Sequence, residues 1–311
     1  MDRRTFVQTG LAASATAAAT FAAGAQATRA ASPAAGATSG AAPGDAAPQG
    51  APAASAGATK RRLRQSVCAW CFGNMPLDEL CELAKSCGIQ AIDLLSQEQW
   101  GVPAKHGLAC SLANGPGGIT VGWNRPDKHD ELVKRSEELI PAAADAGVRQ
   151  MIVFSGNRAG MPDDVGLRNC AQGLRRIMPL AQKHGIVVVM ELLNSKVDHK
   201  DYMCDRSPWG VELCKQVGSD HFRLLYDIYH MQIMEGDVIR TIRELHPYFA
   251  HYHTAGNPGR SNLDDTQELN YRGICEAIVA TGFDGYLAQE FMPRGDPAAA
   301  LRAAAAICDA G

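Results

Sequence analysis

The chain has 311 residues with a formal net charge of −3 and 46% hydrophobic side chains, so it is not disordered throughout. Its first 59 residues carry only Asp2, Asp45, Arg3, Arg4 and Arg29 as charges, which leaves 252 residues with 27 basic and 31 acidic side chains. A remainder of that size can bury a full core, and its mild acidity argues against a nucleic-acid binder relying on a broad basic face.

The N-terminus places Arg3-Arg4 two residues before Phe6, followed by a weakly hydrophobic stretch over 11–21 and Ala25-Gln26-Ala27 as a cleavage site. This order reads as a twin-arginine export signal over 1–27, with the export machinery as partner and the bacterial periplasm as destination. The apolar stretch is too short and Ala-rich for a stable membrane anchor. Residues 28–59 are Ala, Pro, Gly, Ser and Thr with almost no charge, read as a disordered linker. The folded domain is expected over 60–311.

All ten Cys lie in that domain. An exported protein with an even count invites disulfides. A chain that folds before export can instead keep its buried thiols reduced. Cys68-Ala-Trp-Cys71 has redox spacing but falls in an apolar run with no second C-x-x-C, so both read as buried cysteines.

From residue 66 short apolar runs alternate with amphipathic stretches. Strands are expected at 66–72, 91–95, 108–113, 150–154, 186–190, 222–226, 249–254 and 285–289. Helices are expected at 77–87, 130–146, 164–184, 209–217, 237–245, 271–281 and 296–307, several stopped by a Gly. No clear helix follows the second strand. Eight strands, each followed by a connection, in about 250 residues have the rhythm of a single (β/α)8 TIM barrel. A doubly wound sheet is the alternative, but no G-x-G-x-x-G follows the first strand.

In a barrel, chemistry gathers at the C-terminal ends of the strands. The last four runs end in Glu191, Asp227, His253 and Glu290. Singly, such acids serve as helix N-caps or surface partners. Together they would project three carboxylates into one desolvated space, where mutual repulsion calls for a cation. One divalent metal ion, Mn²⁺ or Mg²⁺ with Co²⁺ or Zn²⁺ as alternatives, suits oxygen donors with one imidazole. Arg260 lies in a Gly/Pro-rich loop and is a candidate clamp for a carboxylate or phosphate. His106 precedes the third strand as a candidate pocket residue, with a plain loop position as its alternative. Trp70 and Trp123 are candidate pocket walls, with core packing the favoured reading for each.

Five segments carry a resemblance: Glu191-Leu-Leu-Asn194; 227–237, beginning Asp227-Ile-Tyr-His230; His253-Thr-Ala-Gly256-Asn-Pro-Gly259-Arg260; Glu268-Leu-Asn270-Tyr271; and Gly285-Tyr-Leu-Ala-Gln-Glu290. They resemble hydroxypyruvate isomerase, within the xylose isomerase-like (sugar phosphate isomerase/epimerase) barrel superfamily. The resemblance implies a metal-dependent isomerase that interconverts a small hydroxy-keto acid or sugar and its aldehyde or ketose isomer, as in hydroxypyruvate to tartronate semialdehyde, through an enediolate. It puts Glu191, Asp227, His253 and Glu290 on metal positions, Glu191 and Glu290 as the proton-transfer pair, and His230 and Arg260 on the substrate. Hydroxypyruvate isomerases usually carry Gln where His253 stands, whereas the epimerase relatives carry His, so a ketose 3-epimerase is the runner-up. A metal-dependent hydrolase or nuclease would add ligands such as Asp198, His199 and His221. A sugar-acid binding protein would keep the barrel without turnover. No nucleic-acid partner is expected, and a second copy of the chain is one candidate partner.

Overall fold

The computed structural model describes residues 63–309; the export signal expected over 1–27 and the linker expected over 28–59 lie outside them. Eight parallel strands close on themselves in sequence order: β1 (Arg64–Cys68), β2 (Ala91–Leu95), β3 (Ala109–Asn114), β4 (Gln150–Val153), β5 (Val187–Leu192), β6 (Phe222–Asp227), β7 (Phe249–Thr254) and β8 (Tyr286–Gln289). β8 pairs back onto β1 through Arg64↔Tyr286 to Val67↔Gln289, so no strand edge is left open. This is the expected (β/α)8 barrel.

Among the described residues ten α-helices accompany the strands: α1 (Leu77–Ser86), α2 (Val102–Lys105), α3 (His129–Asp145), α4 (Asp163–Arg175), α5 (Met178–His184), α6 (Ser207–Val217), α7 (Ile228–Met234), α8 (Val238–Leu245), α9 (Tyr271–Ala280) and α10 (Pro297–Cys308). Their apolar faces cover the sheet with buried side chains such as Leu80, Ile140, Leu174, Leu213, Ile242, Ile278 and Leu301. Among the described residues no helix is long and apolar enough to cross a membrane.

The departures from the expected elements have local causes. The first strand stops at Cys68 and gives way to a 3-10 turn over Ala69–Phe72. The single helix expected over 164–184 is two helices: Pro179 has no N–H for the carbonyl a turn earlier, and it falls in the first turn of α5, where none is needed. The second connection holds only a 3-10 turn at Gln97–Gln99 and the one-turn α2. A helix not foreseen, α7, starts directly at β6, where the Asp227 side chain accepts the backbone N–H of His230 at 3.0 Å.

The barrel interior is divided. Leu112, Ile152, Val189 and Leu225, from β3 to β6, form a small apolar cluster of their own. Elsewhere it is polar: His251 and His253 of β7 reach Asp93 of β2, and His251 also meets Gln150 of β4. These strands are not neighbours, so the contacts cross the barrel's inside. All ten cysteines are free thiols, with Cys68 and Cys71 buried.

Candidate metal centre

The C-terminal ends of four consecutive strands bring side chains to one point. Glu191 is near the end of β5, Asp227 ends β6, His253 is on β7 and Glu290 follows β8. One ligand atom from each lies within 4.8 Å of those of the other three, and all four residues are buried. His253 Nδ1 stands 3.3 Å from Glu191 Oε1 and 3.0 Å from Glu290 Oε2.

Burial pushes the Glu191 carboxyl up, with Glu290 adding to the effect. Asp227 is pushed well above the usual carboxylate range by burial and then by Glu290. Burial also works against charge on Glu290, but His253 and Arg260 outweigh it and hold Glu290 well below that range. Burial likewise opposes charge on His253, where Glu290 and further partners prevail and raise it.

A cation fits this donor set. Glu191 Oε1 and His253 Nδ1 are both buried without a hydrogen-bond partner, and they face each other inside the cluster. Buried polar atoms of this kind are rare unless something else satisfies them. Three carboxylates with one imidazole suit a hard or borderline divalent ion.

Arg260 supplies positive charge at the rim. Its Nη2 lies 2.6 Å from Glu290 Oε2 and 3.9 Å from Asp227 Oδ2, and its Nε is buried without a partner. The guanidinium sits over the rings of Trp70 at 5.1 Å and Tyr229 at 5.7 Å. The loop that carries it turns tightly: a Cβ on Gly256 would clash with the backbone oxygen of Asn262, and Gly259 has φ +96°. Glu268, Asn270 and Tyr271 support this loop. Glu268 accepts from Asn257, Asn270 caps α9, and the Tyr271 hydroxyl meets the backbone N–H and C=O of Ala255 at 2.9 and 2.7 Å.

His230 is fully buried beside the cluster, its Nε2 3.7 Å from Asp227 Oδ2. Burial, then Arg260, keeps it well below the ordinary histidine range, so the ring is neutral. Asn194 lies 2.6 Å from its Nδ1. The Asn194 carbonyl oxygen already accepts the backbone N–H groups of Val197 and Asp198, so the amide nitrogen must face the ring and donate to Nδ1. The His230 proton is thereby on Nε2, which has no partner.

The structure brings Glu191, Asp227, His230, His253, Arg260 and Glu290 together. It does not bring His106 to them. That ring packs against α1 instead, with Nδ1 2.6 Å from Glu82 and Nε2 2.8 Å from Asp78. The reason is topological: His106 precedes β3, and the site lies where strands end. Trp70, expected in the core, is 45% exposed and donates its indole N–H to Glu290 Oε1 at 2.9 Å. Trp123 is fully buried. Asn194 is the site residue that periodicity misses, and Trp70 is the one it favours for the core. Trp70 was masked by the apolar run around it, and Asn194 follows a strand-end acid as an ordinary turn residue would. Among the described residues, neither cluster with metal-ligand spacing includes Asp198, His199 or His221.

The 2-oxo-tetronate isomerase of Cupriavidus necator is 34% identical over 121 residues, 39% of this chain and 46% of that protein. A human protein named putative hydroxypyruvate isomerase is 29% identical over 40% of this chain and 45% of its own length. The chain thus spans about half the length of these two curated relatives. Hydroxypyruvate isomerase of Escherichia coli is 25% identical over 74% of this chain and 93% of that enzyme. Among solved structures, an AP endonuclease, family 2, from Brucella melitensis superposes with a TM-score of 0.70 at 23% identity, covering 77% of this chain and 97% of that one. A D-psicose 3-epimerase from Clostridium cellulolyticum gives 0.64 at 15% identity, covering 78% and 90%. These likenesses speak to the fold alone. The family model of the xylose isomerase-like TIM barrel matches residues 81–310, from within α1 past the end of α10, and the chain belongs to that family.

Proposed function

We propose that the chain is a metal-dependent isomerase of a small hydroxy-keto acid or sugar, of the hydroxypyruvate or 2-oxo-tetronate type. The observation that carries this reading is the convergence of Glu191 and Glu290 on His253 Nδ1, at 3.3 and 3.0 Å. Two carboxylates facing one small space can take a proton from one carbon and return it to the next.

Glu191, Asp227, His253 and Glu290 would hold a single divalent ion, which when bound supplies positive charge for the oxygens beside the carbon that loses its proton. Glu191, raised by burial, and Glu290, held ionised by His253 and Arg260, form a pair with separated proton affinities, which suits one to accept while the other donates. His230 presents Nε2–H to a substrate oxygen. Arg260 offers its unpartnered Nε–H to a substrate carboxylate, and Trp70 and Tyr229 hold the guanidinium in place.

An imidazole at position 253, where the epimerase relatives also carry one, favours a second reading. The same two carboxylates would then remove and return the proton at one carbon, making the enzyme a ketose 3-epimerase. Incubation with hydroxypyruvate, 2-oxo-tetronate and free ketoses in D2O with Mn²⁺ separates the two by product and by the carbon that gains deuterium. Absence of deuterium from every substrate would sink both. The Arg3-Arg4 prefix supports delivery to the periplasm by the twin-arginine route, and replacing both with Lys should keep the protein in the cytoplasm.

A further inference from the structure

Beneath His253 lies a carboxylate that neither the composition nor the family motifs single out. Asp93, on β2, is 0% exposed, and a hydroxyl, a thiol and two imidazoles surround its carboxylate. Ser111 Oγ gives its proton to Asp93 Oδ1 at 2.6 Å. His251 Nε2 and His253 Nε2 each stand 3.0 Å from Oδ2, and the Cys68 thiol is 3.6 Å from the same oxygen.

The backbone is bent to put it there. The β2–β3 register slips on both sides of Asp93, between Ile92 and Asp93 and again between Asp93 and Leu95. Leu94, next in sequence, has φ +57°, a conformation a leucine avoids. Bulges and strained residues of this kind re-aim side chains beside functional sites.

We propose that Asp93 is a positioning residue for His253: it takes the Nε2 proton and so turns a bare Nδ1 toward Glu191 and Glu290. An ionised carboxylate only accepts, so His253 must place its proton on the Nε2 side, and the lone pair is left on Nδ1. A histidine that ligates a metal is commonly fixed in this way through its other nitrogen. Cys68, Asp93 and His253 are themselves close enough to share an ion, but Asp93 and His253 already use the facing atoms on each other. The inference rests on the reading that the four strand-end residues hold a divalent cation.

Titration calorimetry of the full chain with Mn²⁺ tests it. Asp93→Asn replaces a carboxylate that can only accept with an amide that can also donate, so the Nε2–H tautomer of His253 is no longer enforced. Mn²⁺ should bind D93N about 10- to 100-fold more weakly than wild type. A purely structural role would lower the melting temperature of the metal-free variant and leave the Mn²⁺ affinity alone. Equal affinities would overturn the inference and spare the cation reading; no Mn²⁺ binding by wild type would remove both. Should D93N fail to fold, ¹⁵N NMR of the histidine-labelled, Mg²⁺-loaded wild type decides. A proton on His253 Nε2 and none on Nδ1 is expected, and the reverse tautomer overturns the inference.

Discussion

Asn194 Nδ2 lies 2.6 Å from His230 Nδ1, and this contact decides which side of the imidazole can donate. Asn194→Ala removes the donor and leaves the ring free to flip. The cost should be about 0.5–1.5 kcal/mol in kcat/KM, roughly a few-fold to tenfold. Asn194→Asp should be worse, because a carboxylate accepts from Nδ1 and withdraws the proton from Nε2. Steady-state kinetics of the two variants checks the order; an N194D enzyme as active as wild type would show that the His230 tautomer is immaterial.

The two-carboxylate reading predicts that Glu191→Gln and Glu290→Gln each lower kcat by about 10²- to 10⁴-fold. Both Gln side chains keep an oxygen in the cluster, so Mn²⁺ binding should weaken less than turnover. Loss of solvent deuterium incorporation in each variant is the direct readout. Activity surviving in either one would move the proton transfer elsewhere.

The barrel was legible because its signals are local and repeated: apolar runs of strand length, amphipathic helices behind them, and Gly stops such as Gly185 and Gly218. The strand-end cluster is legible for the same reason, each member closing an apolar run. Trp70 was not, since the sequence has no mark for where a strand gives way to a turn, and a 3-10 turn at Ala69–Phe72 lifts the indole to the rim. His106 shows the converse. A histidine beside a strand is informative only once it is known which end of the strand it borders. Asp93 was hidden within β2, where inward direction depends on a bulge that pairing with β3 reveals.

The indole of Trp70 does two things that can be separated. Trp70→Phe keeps a ring under Arg260 but loses the N–H that meets Glu290 Oε1 at 2.9 Å. Because Trp70 is 45% exposed, water can replace part of that bond, and the loss should be about 0.5–1.5 kcal/mol in kcat/KM. Trp70→Ala removes the stacking surface as well, so it should additionally raise KM for an anionic substrate. Equal kinetics for the two variants would show that the ring contributes nothing beyond its N–H.

Chelation should stop turnover and lower the melting temperature, and Mn²⁺ should restore both. At a free ion concentration 100 times the Kd, the stabilisation is about 2.7 kcal/mol. The pH dependence follows from the ligands. Burial raises Glu191 and Asp227 above the usual range, and in the ion-free protein His253 is raised as well. All three must give up protons to bind a cation, so protons and Mn²⁺ compete. Affinity should rise with pH and fall on acidification, beginning above the usual carboxylate range. Calorimetry at several pH values measures it, and an affinity independent of pH would contradict this protonation pattern.

His106 gives a pH prediction of its own, separate from the strand-end cluster. Its two ring nitrogens face Asp78 at 2.8 Å and Glu82 at 2.6 Å, so both must donate, and the bonds to Asp78 and then Glu82 raise its pKa. The unfolded chain releases that proton near pH ~6.5, the folded chain at a higher pH. The stabilisation is therefore fully present below the unfolded value and is lost as pH rises through the folded one. His106→Gln should melt lower than wild type in mild acid, with the gap closing in mild alkali, and its kcat and KM should be unchanged. Thermal melts across that pH range test the first part. Impaired turnover in H106Q would return this residue to the catalytic site from which the fold separates it.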